Sequence, residues 1–300
     1  MAAQRNKWYH DKHFLYLEWQ RCQFSTTKLA QEHNIPRTTL SHFIHEFNLN
    51  KGKVLEECSS EYIEHIIKGG RGVVAGDWHI PITNWPLVYQ MFADAKAHKC
   101  TDWITIPGDF LNQDATSRHF DKQHDAGLKV ERDQATQCIK ALRKVFGEIY
   151  ITKGNHDVRH IIRLQTGLSF IDSLQLFIND ETVKTTRCDY VLHESTAGLW
   201  RFCHTKQYSR VQLNVPNRIA EKYRCHVIAC HRHHSAIGWS NSGYRIIEGG
   251  GLFDAAKTQY LREWTTTFPH WQPGYYLMAD GLPYAPMLSM SPLHLRRVHA

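Results

Sequence analysis

The chain has 300 residues, 42% of them hydrophobic, enough to bury one sizeable α/β domain and a small extra module. No stretch approaches the roughly 18–20 apolar residues of a membrane span, which excludes a helical membrane protein. Net charge is +7 with His neutral, and 21 His stand in reserve, a modest basic excess that suits a polyanionic partner such as nucleic acid.

The start, Met1-Ala2-Ala3-Gln4-Arg5-Asn6-Lys7, has no apolar run behind it, so no signal peptide is expected and the cytoplasm is the expected location. The eight Cys are scattered without a CxxC pair and read as reduced thiols filling the core. A zinc knuckle from Cys225, Cys230, His231 and His233 is the competing reading for two of them.

Residues 1–50 read as a separate all-α module. Trp8 to Arg21 has helical apolar spacing, with Trp8, Phe14, Leu15, Leu17 and Trp19. Ser25 caps a second helix over Thr26 to His33. Asn34 sits at the turn, where a left-handed residue is needed and Asn tolerates it. Pro36 opens a third helix to about Phe47, since a first-turn N–H has no helical partner to lose.

Leu29, Ala30, Ile35, Leu40 and Phe43 would pack two short helices across that turn, a helix-turn-helix pattern. Asn34-Ile35-Pro36-Arg37-Thr38-Thr39-Leu40 resembles the helix-turn-helix of recombinases and pipsqueak-type DNA-binding domains over about 25 residues, with Asn34 where those families carry a turn Gly. The resemblance implies DNA binding, with Arg37, Thr38, Thr39 and His42 facing the groove; a plain three-helix docking or dimerisation bundle is the alternative. Through residue 53 the module carries eight Lys/Arg against four acids.

Residues 51–70 read as a linker with a short helix, Ser59 to Lys68, stopped by Gly69-Gly70. Residues 71–285 then read as one α/β domain, and 286–300 as a tail. Strands are predicted at Gly72–Ala75, Trp103–Ile106 and Glu148–Ile151, alternating with helices at Leu87–Lys99 and Lys129–Val145, which argues parallel strands. Beyond residue 185 strands follow one another around Tyr190, Trp200–Cys203, Val227–Ala229 and Tyr244–Ile247, with a helix at Asn217–Tyr223.

Five clusters sit at the ends of these strands: Gly76-Asp77-Trp78-His79, Gly108-Asp109-Phe110-Leu111-Asn112, Gly154-Asn155-His156-Asp157, Cys203-His204 and Cys230-His231-Arg232-His233. Loops at the carboxyl ends of strands in an open α/β sheet converge on one crevice. Residues far apart in sequence therefore meet. Asp77 with His79, and His231 with His233, are two apart, which in an extended segment puts both side chains on one face.

With these motifs, residues 72–285 resemble the calcineurin-like metallophosphoesterase superfamily, whose pattern is DxH, GDxx(D/N), GNH(D/E), H and GHxH. Cys230 stands where the last motif has Gly. The resemblance implies an α/β fold of the αββα type, a β-sandwich flanked by helices, and two divalent cations, with Mn, Fe or Zn suited to the mixed O/N ligands. It implies that Asp109 bridges both cations, that Asp77, His79 and His233 complete the first site, and that Asn155, His204 and His231 complete the second. His156 would contact phosphate and help protonate the leaving oxygen, Asp157 would orient His156, and Asn112 would support the Asp109 loop.

The expected activity is a metal-dependent phosphoesterase, in particular a nuclease, since the superfamily includes DNA-repair nucleases; DNA is the favoured partner and no membrane is expected. The alternatives are a phosphomonoesterase acting on protein or nucleotide, with the N-terminal bundle as a docking device, and a DNA-binding regulator with an inactive phosphoesterase domain. Trp78 either stacks on a base or packs the site wall. Arg159 and His160 read as a solvated helix start or as phosphate contacts, as do Arg118, His119 and His124. His234 reads as a satisfied core or surface residue and Arg296-Arg297 as exposed tail.

Overall fold

The computed structural model describes residues 15, 18–19, 21–22, 25–46, 64–117, 127–165, 167–258 and 271–286. The chain divides into two units, Met1–Tyr62 and Ile63–Ala300. Much of the helix predicted over Trp8–Arg21, the Ser59–Ile63 part of the linker helix, and Arg118, His119, His124, Arg296 and Arg297 lie outside the described residues.

In the first unit, helix α1 (Thr26–His33) begins where the Ser25 side chain accepts a hydrogen bond from the Lys28 amide. It ends at Asn34, whose φ of 51° and ψ of 45° let its N–H turn back on the last carbonyls. Helix α2 (Arg37–Glu46) follows Pro36. Leu40 and Ile44, one helical turn apart, bury against Leu29, Leu15, Trp19 and Cys22.

Among its described residues the second unit is built on two six-stranded sheets. Its strands in chain order are β1 (Ile66–Lys68), β2 (Gly72–Val74), β3 (Trp103–Pro107), β4 (Glu148–Thr152), β5 (Lys184–Thr185) and β6 (Tyr190–Ser195), then β7 (Gly198–His204), β8 (His226–Cys230), β9 (Ser235–Trp239), β10 (Arg245–Gly249), β11 (Tyr276–Ala279) and β12 (Leu282–Tyr284). Helices α3 (Trp85–Ala97), α4 (Gly127–Arg143), α5 (Arg159–Leu164), α6 (Phe170–Ile178) and α7 (Asn214–Tyr223) connect them. One sheet has the order β12-β11-β2-β3-β4-β5, the other β1-β6-β7-β8-β10-β9.

Period-two alternation along the strands decides the layers. Trp103, Tyr150, Trp200, Phe202, Ile228 and Tyr276 point inward and form one core between the sheets. Ile104, Ile106, Ile149 and Ile151 point outward and pack under Val88 and Met91 of α3, Ile139 of α4 and Leu174 of α6. On the opposite outer face Cys203, Val227 and Ala229 pack under Ala220 of α7. Helix, sheet, sheet, helix is the αββα arrangement expected from the sequence.

One element differs. Ile66–Lys68, expected as the end of a helix, is a strand paired in parallel with β6, Ile67 opposite His193. Ile67 is buried and its neighbours are exposed, so the segment fits a sheet edge and feeds the core between the sheets. Pairing with a preformed edge outweighs local propensity here. No described helix is long and apolar enough to cross a membrane.

What matters for the site is register. β2, β3 and β4 run parallel as neighbours, with Val74 opposite Thr105 and Pro107 opposite Thr152. β7 and β8 are likewise parallel, with His204 opposite Cys230. The carboxyl ends of five strands therefore open at common levels, three in one sheet and two in the other.

Candidate metal centre

The strand ends bring Asp77, His79, Asp109, His204, His231 and His233, together with His156, into overlapping groups. The ligand atoms of Asp77, His79 and His233 lie within 4.8 Å of one another, as do those of Asp109, His204 and His231. A third group within the same limit joins His79, Asp109 and His156. Asn155 is exposed on its loop, whereas Asp77, Asp109 and His204 are sealed at 0–2% exposure.

The chain does not reach this arrangement by the extended path expected for Asp77-x-His79 and His231-x-His233. Asp77, His79, Asp109, His231 and His233 all have positive φ, between 48° and 100°. Such residues need support from their surroundings, because the left-handed region disfavours side chains with a Cβ. Crossed backbone bonds provide it: Trp78 and His79 both donate to the Asp109 carbonyl at 2.9 and 3.0 Å, and Leu252 donates to the Asp77 carbonyl at 2.9 Å.

The two carboxylates are held alike. Asp77 Oδ2 accepts the His231 amide at 2.8 Å, which ties the first sheet to the second. Asp109 Oδ1 accepts the His156 amide at 2.8 Å. The remaining oxygens turn toward the imidazoles: Asp109 Oδ2 lies 3.1 Å from His204 Nε2 and 3.9 Å from His79 Nε2 and His156 Nε2. Asp77 Oδ1 lies 3.5 Å from His204 Nε2 and 3.8 Å from His233 Nε2. Asp77 Oδ1 and His204 Nε2 are buried without an aligned hydrogen-bond partner. Buried polar atoms are seldom left so. Hard oxygens and borderline nitrogens converging with unused lone pairs fit a divalent cation.

Asn112 joins two histidines. Its Oδ1 accepts from His79 Nδ1 and His156 Nδ1, both at 3.2 Å, and its carbonyl accepts from His156 Nδ1 at 3.0 Å. Fixing Nδ1–H on His79 leaves Nε2 as the free donor of an electron pair, the usual way a carbonyl sets a metal-binding tautomer. On His156, Arg159 donates from Nη2 to Nε2 at 2.7 Å and from Nη1 to the Asn112 carbonyl at 3.1 Å. A guanidinium only donates, so His156 Nε2 is an acceptor. Arg159 therefore belongs to the site and is not a solvated helix start.

The expected contact from Asp157 to His156 is replaced by another. Asp157 Oδ1 accepts the Leu111 amide at 2.8 Å and Oδ2 the Gly154 amide at 2.9 Å, so this carboxylate joins the second and third motif loops. His160 is also structural: it is buried and hydrogen-bonds Gln113 and Ser173. Trp78 is fully buried, donates to the Ala75 carbonyl at 2.7 Å and packs near Phe110, which leaves it no face for a base. His234 pairs with Glu248 at 3.3 Å. Cys225 and Cys230 join none of the metal-capable groups among the described residues.

Charge is distributed unevenly. Burial opposes ionisation of Asp109, but His204, His156 and His79 overcome it and hold its carboxyl well below the usual range. Burial likewise opposes charge on His204, but Asp109 and Asp77 raise it well above the ordinary imidazole value. His204 and the two carboxylates thus favour one another's charged forms. Burial pushes His233 down to about 3. Burial, with His79 and Arg159, lowers His156 well below the ordinary imidazole value against the pull of Asp109. Burial and the neighbouring Asp109 push Asp157 up to about 7.

Glycines fix how closely the loops approach. A Cβ on Gly154 would overlap the Asp109 backbone and carboxylate, and one on Gly108, at φ 68°, would overlap the His204 ring. Cys230, in place of the expected Gly, ends β8 outside the positive-φ set and fills the space beside Gly76 and Gly249, so the substitution is accommodated. Phe253 and Trp271, to which no sequence motif points, wall the cluster with rings 4.4 and 4.5 Å from that of His233.

No curated protein matches the chain. Among solved structures, a Thermotoga maritima protein, TM1076, determined by NMR in solution, is similar at 13% identity and a TM-score of 0.34, over 72% of this chain and 96% of that one. The Pseudomonas putida nuclease MPE is similar at 14% identity and a TM-score of 0.31, over 71% of this chain and 86% of that one. The calcineurin-like phosphoesterase family matches residues 71–267, a span holding all five motifs. The chain accordingly belongs to the calcineurin-like phosphoesterases and is a metal-dependent phosphoesterase.

Proposed function

We propose that this enzyme hydrolyses phosphodiesters of nucleic acid, DNA in particular, using two divalent cations of the Mn, Fe or Zn type. The observation that carries the two-cation reading is the position of Asp109 Oδ2, between His79 Nε2 of one ligand group and His204 Nε2 of the other. Asp77, His79 and His233 would hold one cation, His204, His231 and Asn155 the other, with Asp109 between. Bound divalent cations polarise a phosphoryl oxygen and lower the pKa of water.

The chain's own residues do the rest. His156 and Arg159 are half-buried, while Asp77, Asp109 and His204 beneath them are sealed, so both can reach an incoming phosphate. Arg159 offers its guanidinium to phosphate oxygens. His156 is held by its Nδ1–H on Asn112, and its Nε2 is the atom that takes up a proton and returns it to the leaving oxygen. Asp157 keeps Gly154 and Leu111 together, and with them the loop that carries His156.

Nucleic acid as substrate draws on the net charge of +7 and on α2, where Arg37, Thr38 and His42 are exposed and Thr39 is half-buried. A phosphomonoesterase is the second reading; Arg159 favours it, because an added guanidinium suits a dianionic phosphate. The intact ligand set speaks against an inactive regulator.

Labelled single- and double-stranded DNA with Mn²⁺ is expected to be cut, and EDTA is expected to stop the cutting. His156→Ala is expected to slow turnover about 10²–10⁴-fold while metal content stays near normal. A wild-type rate in that variant would remove His156 from the chemistry. Intact DNA beside a hydrolysed chromogenic monoester would move the substrate to the second reading. Deleting residues 1–50 is expected to leave hydrolysis of a small diester unchanged and to weaken action on long DNA at moderate salt, because fewer phosphates are then neutralised by Lys and Arg.

A further inference from the structure

Arg201, on β7, is 6% exposed, and its guanidinium lies between the rings of Tyr190 at 3.7 Å and Tyr223 at 3.9 Å. Its Nε is buried with no hydrogen-bond partner, and among the described residues it forms no ion pair. Arg232 shows the contrast: it is 4% exposed, and Glu248 neutralises it at 2.6 Å. A buried charge without a counter-ion is strongly disfavoured unless something else supplies the opposite charge.

Arg201 lines a pocket of about 300 Å³. Lys206, from the loop after β7, lines it too, as do Arg218 and Lys222, one turn apart on α7. Against these four cations the lining holds one carboxylate, Asp189, which lies 4.0 Å from Lys206. His204 also lines the pocket: three residues from Arg201 it faces the other side of the sheet, so pocket and ligand cluster meet around the carboxyl end of β7. The pocket thus borders the ligand cluster. Its chemistry suits a compact anion with several oxygens. A planar guanidinium clamped by two rings presents a fixed set of donors, and phosphate matches that fork.

We propose that this pocket is a second phosphate subsite, in which Arg201, with Lys206, Arg218 and Lys222, holds a backbone phosphate of a nucleic-acid strand whose neighbouring segment lies at the ligand cluster. The assignment rests on the nucleic-acid reading above.

The test uses the full chain with Mn²⁺ and compares a single-stranded oligonucleotide with bis(p-nitrophenyl) phosphate. Two variants are needed: Arg201→Met, and the exposed pair Arg218→Gln with Lys222→Gln, which leaves the folded core untouched. Both are expected to raise KM for the oligonucleotide about tenfold or more, with little change on the small diester. In the paired variant the slope of log KM against log salt is expected to fall by about one for each phosphate that is no longer neutralised.

If the wild type cuts the oligonucleotide and the paired variant matches it in KM and salt slope, the subsite is overturned while the nucleic-acid reading stands. If the wild type hydrolyses the small diester and leaves the oligonucleotide intact, the nucleic-acid reading itself fails and takes the subsite with it. An equal loss on both substrates also overturns it, because that would mark a structural role. Titration with inorganic phosphate separates the sources: binding that disappears in Arg201→Met with an unchanged oligonucleotide KM would assign the pocket to free phosphate and overturn the backbone subsite.

Discussion

Asp109→Asn is expected to lower kcat/KM about 10³-fold or more. The expectation rests on what Asn keeps and what it changes. Its Oδ1 can still accept the His156 amide, now at 2.8 Å, so the loop has no reason to move. The other terminal atom becomes an NH₂ facing His204 Nε2, at the 3.1 Å position that Asp109 Oδ2 now holds. A donor there cannot bind a cation, and both ligand groups lose the atom between them. Metal analysis of the purified variant is expected to find fewer ions than in the wild type. A variant that retained both the wild-type rate and the wild-type metal content would refute the bridging role.

The second large effect is expected at Glu131, on α4. This residue is 3% exposed, and its Oε1 accepts the amides of Asn112 and Gln113 at 2.7 and 2.8 Å. Glu131→Ala leaves the Gln113 amide buried without a partner, while the Asn112 amide keeps the Ile80 carbonyl at 2.9 Å, and the protein is expected to lose about 1–3 kcal/mol of stability, read by denaturant unfolding. Glu131→Gln keeps a carbonyl in place and is expected to fold normally. Burial pushes the Glu131 carboxyl up to about 8, against the two amides, which pull it down. Because the folded value lies above the ordinary one, the folded state holds the proton more tightly. The stability this contributes is complete below about pH 4.5 and is lost by about 1.4 kcal/mol per pH unit as pH rises toward about 8. The Gln variant lacks this slope, so its stability relative to the wild type should rise across that interval. Parallel curves for the two proteins would show that the carboxyl is not displaced.

The ligand set is legible in the sequence because each motif is local and follows a strand of recognisable composition. Val73-Val74, Ile104-Thr105-Ile106 and Ile149-Tyr150-Ile151 announce strands, and Asp, Asn and His directly after them mark the crevice. Contacts to backbone are not legible. Nothing in Gly-Asn-His-Asp says that the Asp157 oxygens go to the Leu111 and Gly154 amides, because every residue but Pro offers the same N–H. Arg159 reads as a solvated helix start, since only the fold brings the Asn112 carbonyl within 3.1 Å of it.

Short edges escape for a related reason. β5 has two residues, β1 and β12 have three, and none is long enough to show a period. Helix α6 does carry a local signal, the Ser169 and Asp172 capping box, although the sequence reading assigns no element there. Arg201 gives no hint in sequence, since its stacking depends on Tyr190 and Tyr223, drawn from a neighbouring strand and a helix.

The left-handed backbone at Asp77, His79, Asp109, His231 and His233 bears on how such a protein can change over generations. A glycine relieves that conformation where a carboxylate or imidazole does not. Mutations of these residues to glycine would therefore relax the main chain as they disarm the enzyme. A copy freed from selection for hydrolysis would meet little resistance from the fold at these positions. Holding a carboxylate or an imidazole at these five positions therefore costs the fold backbone strain that glycine would spare it.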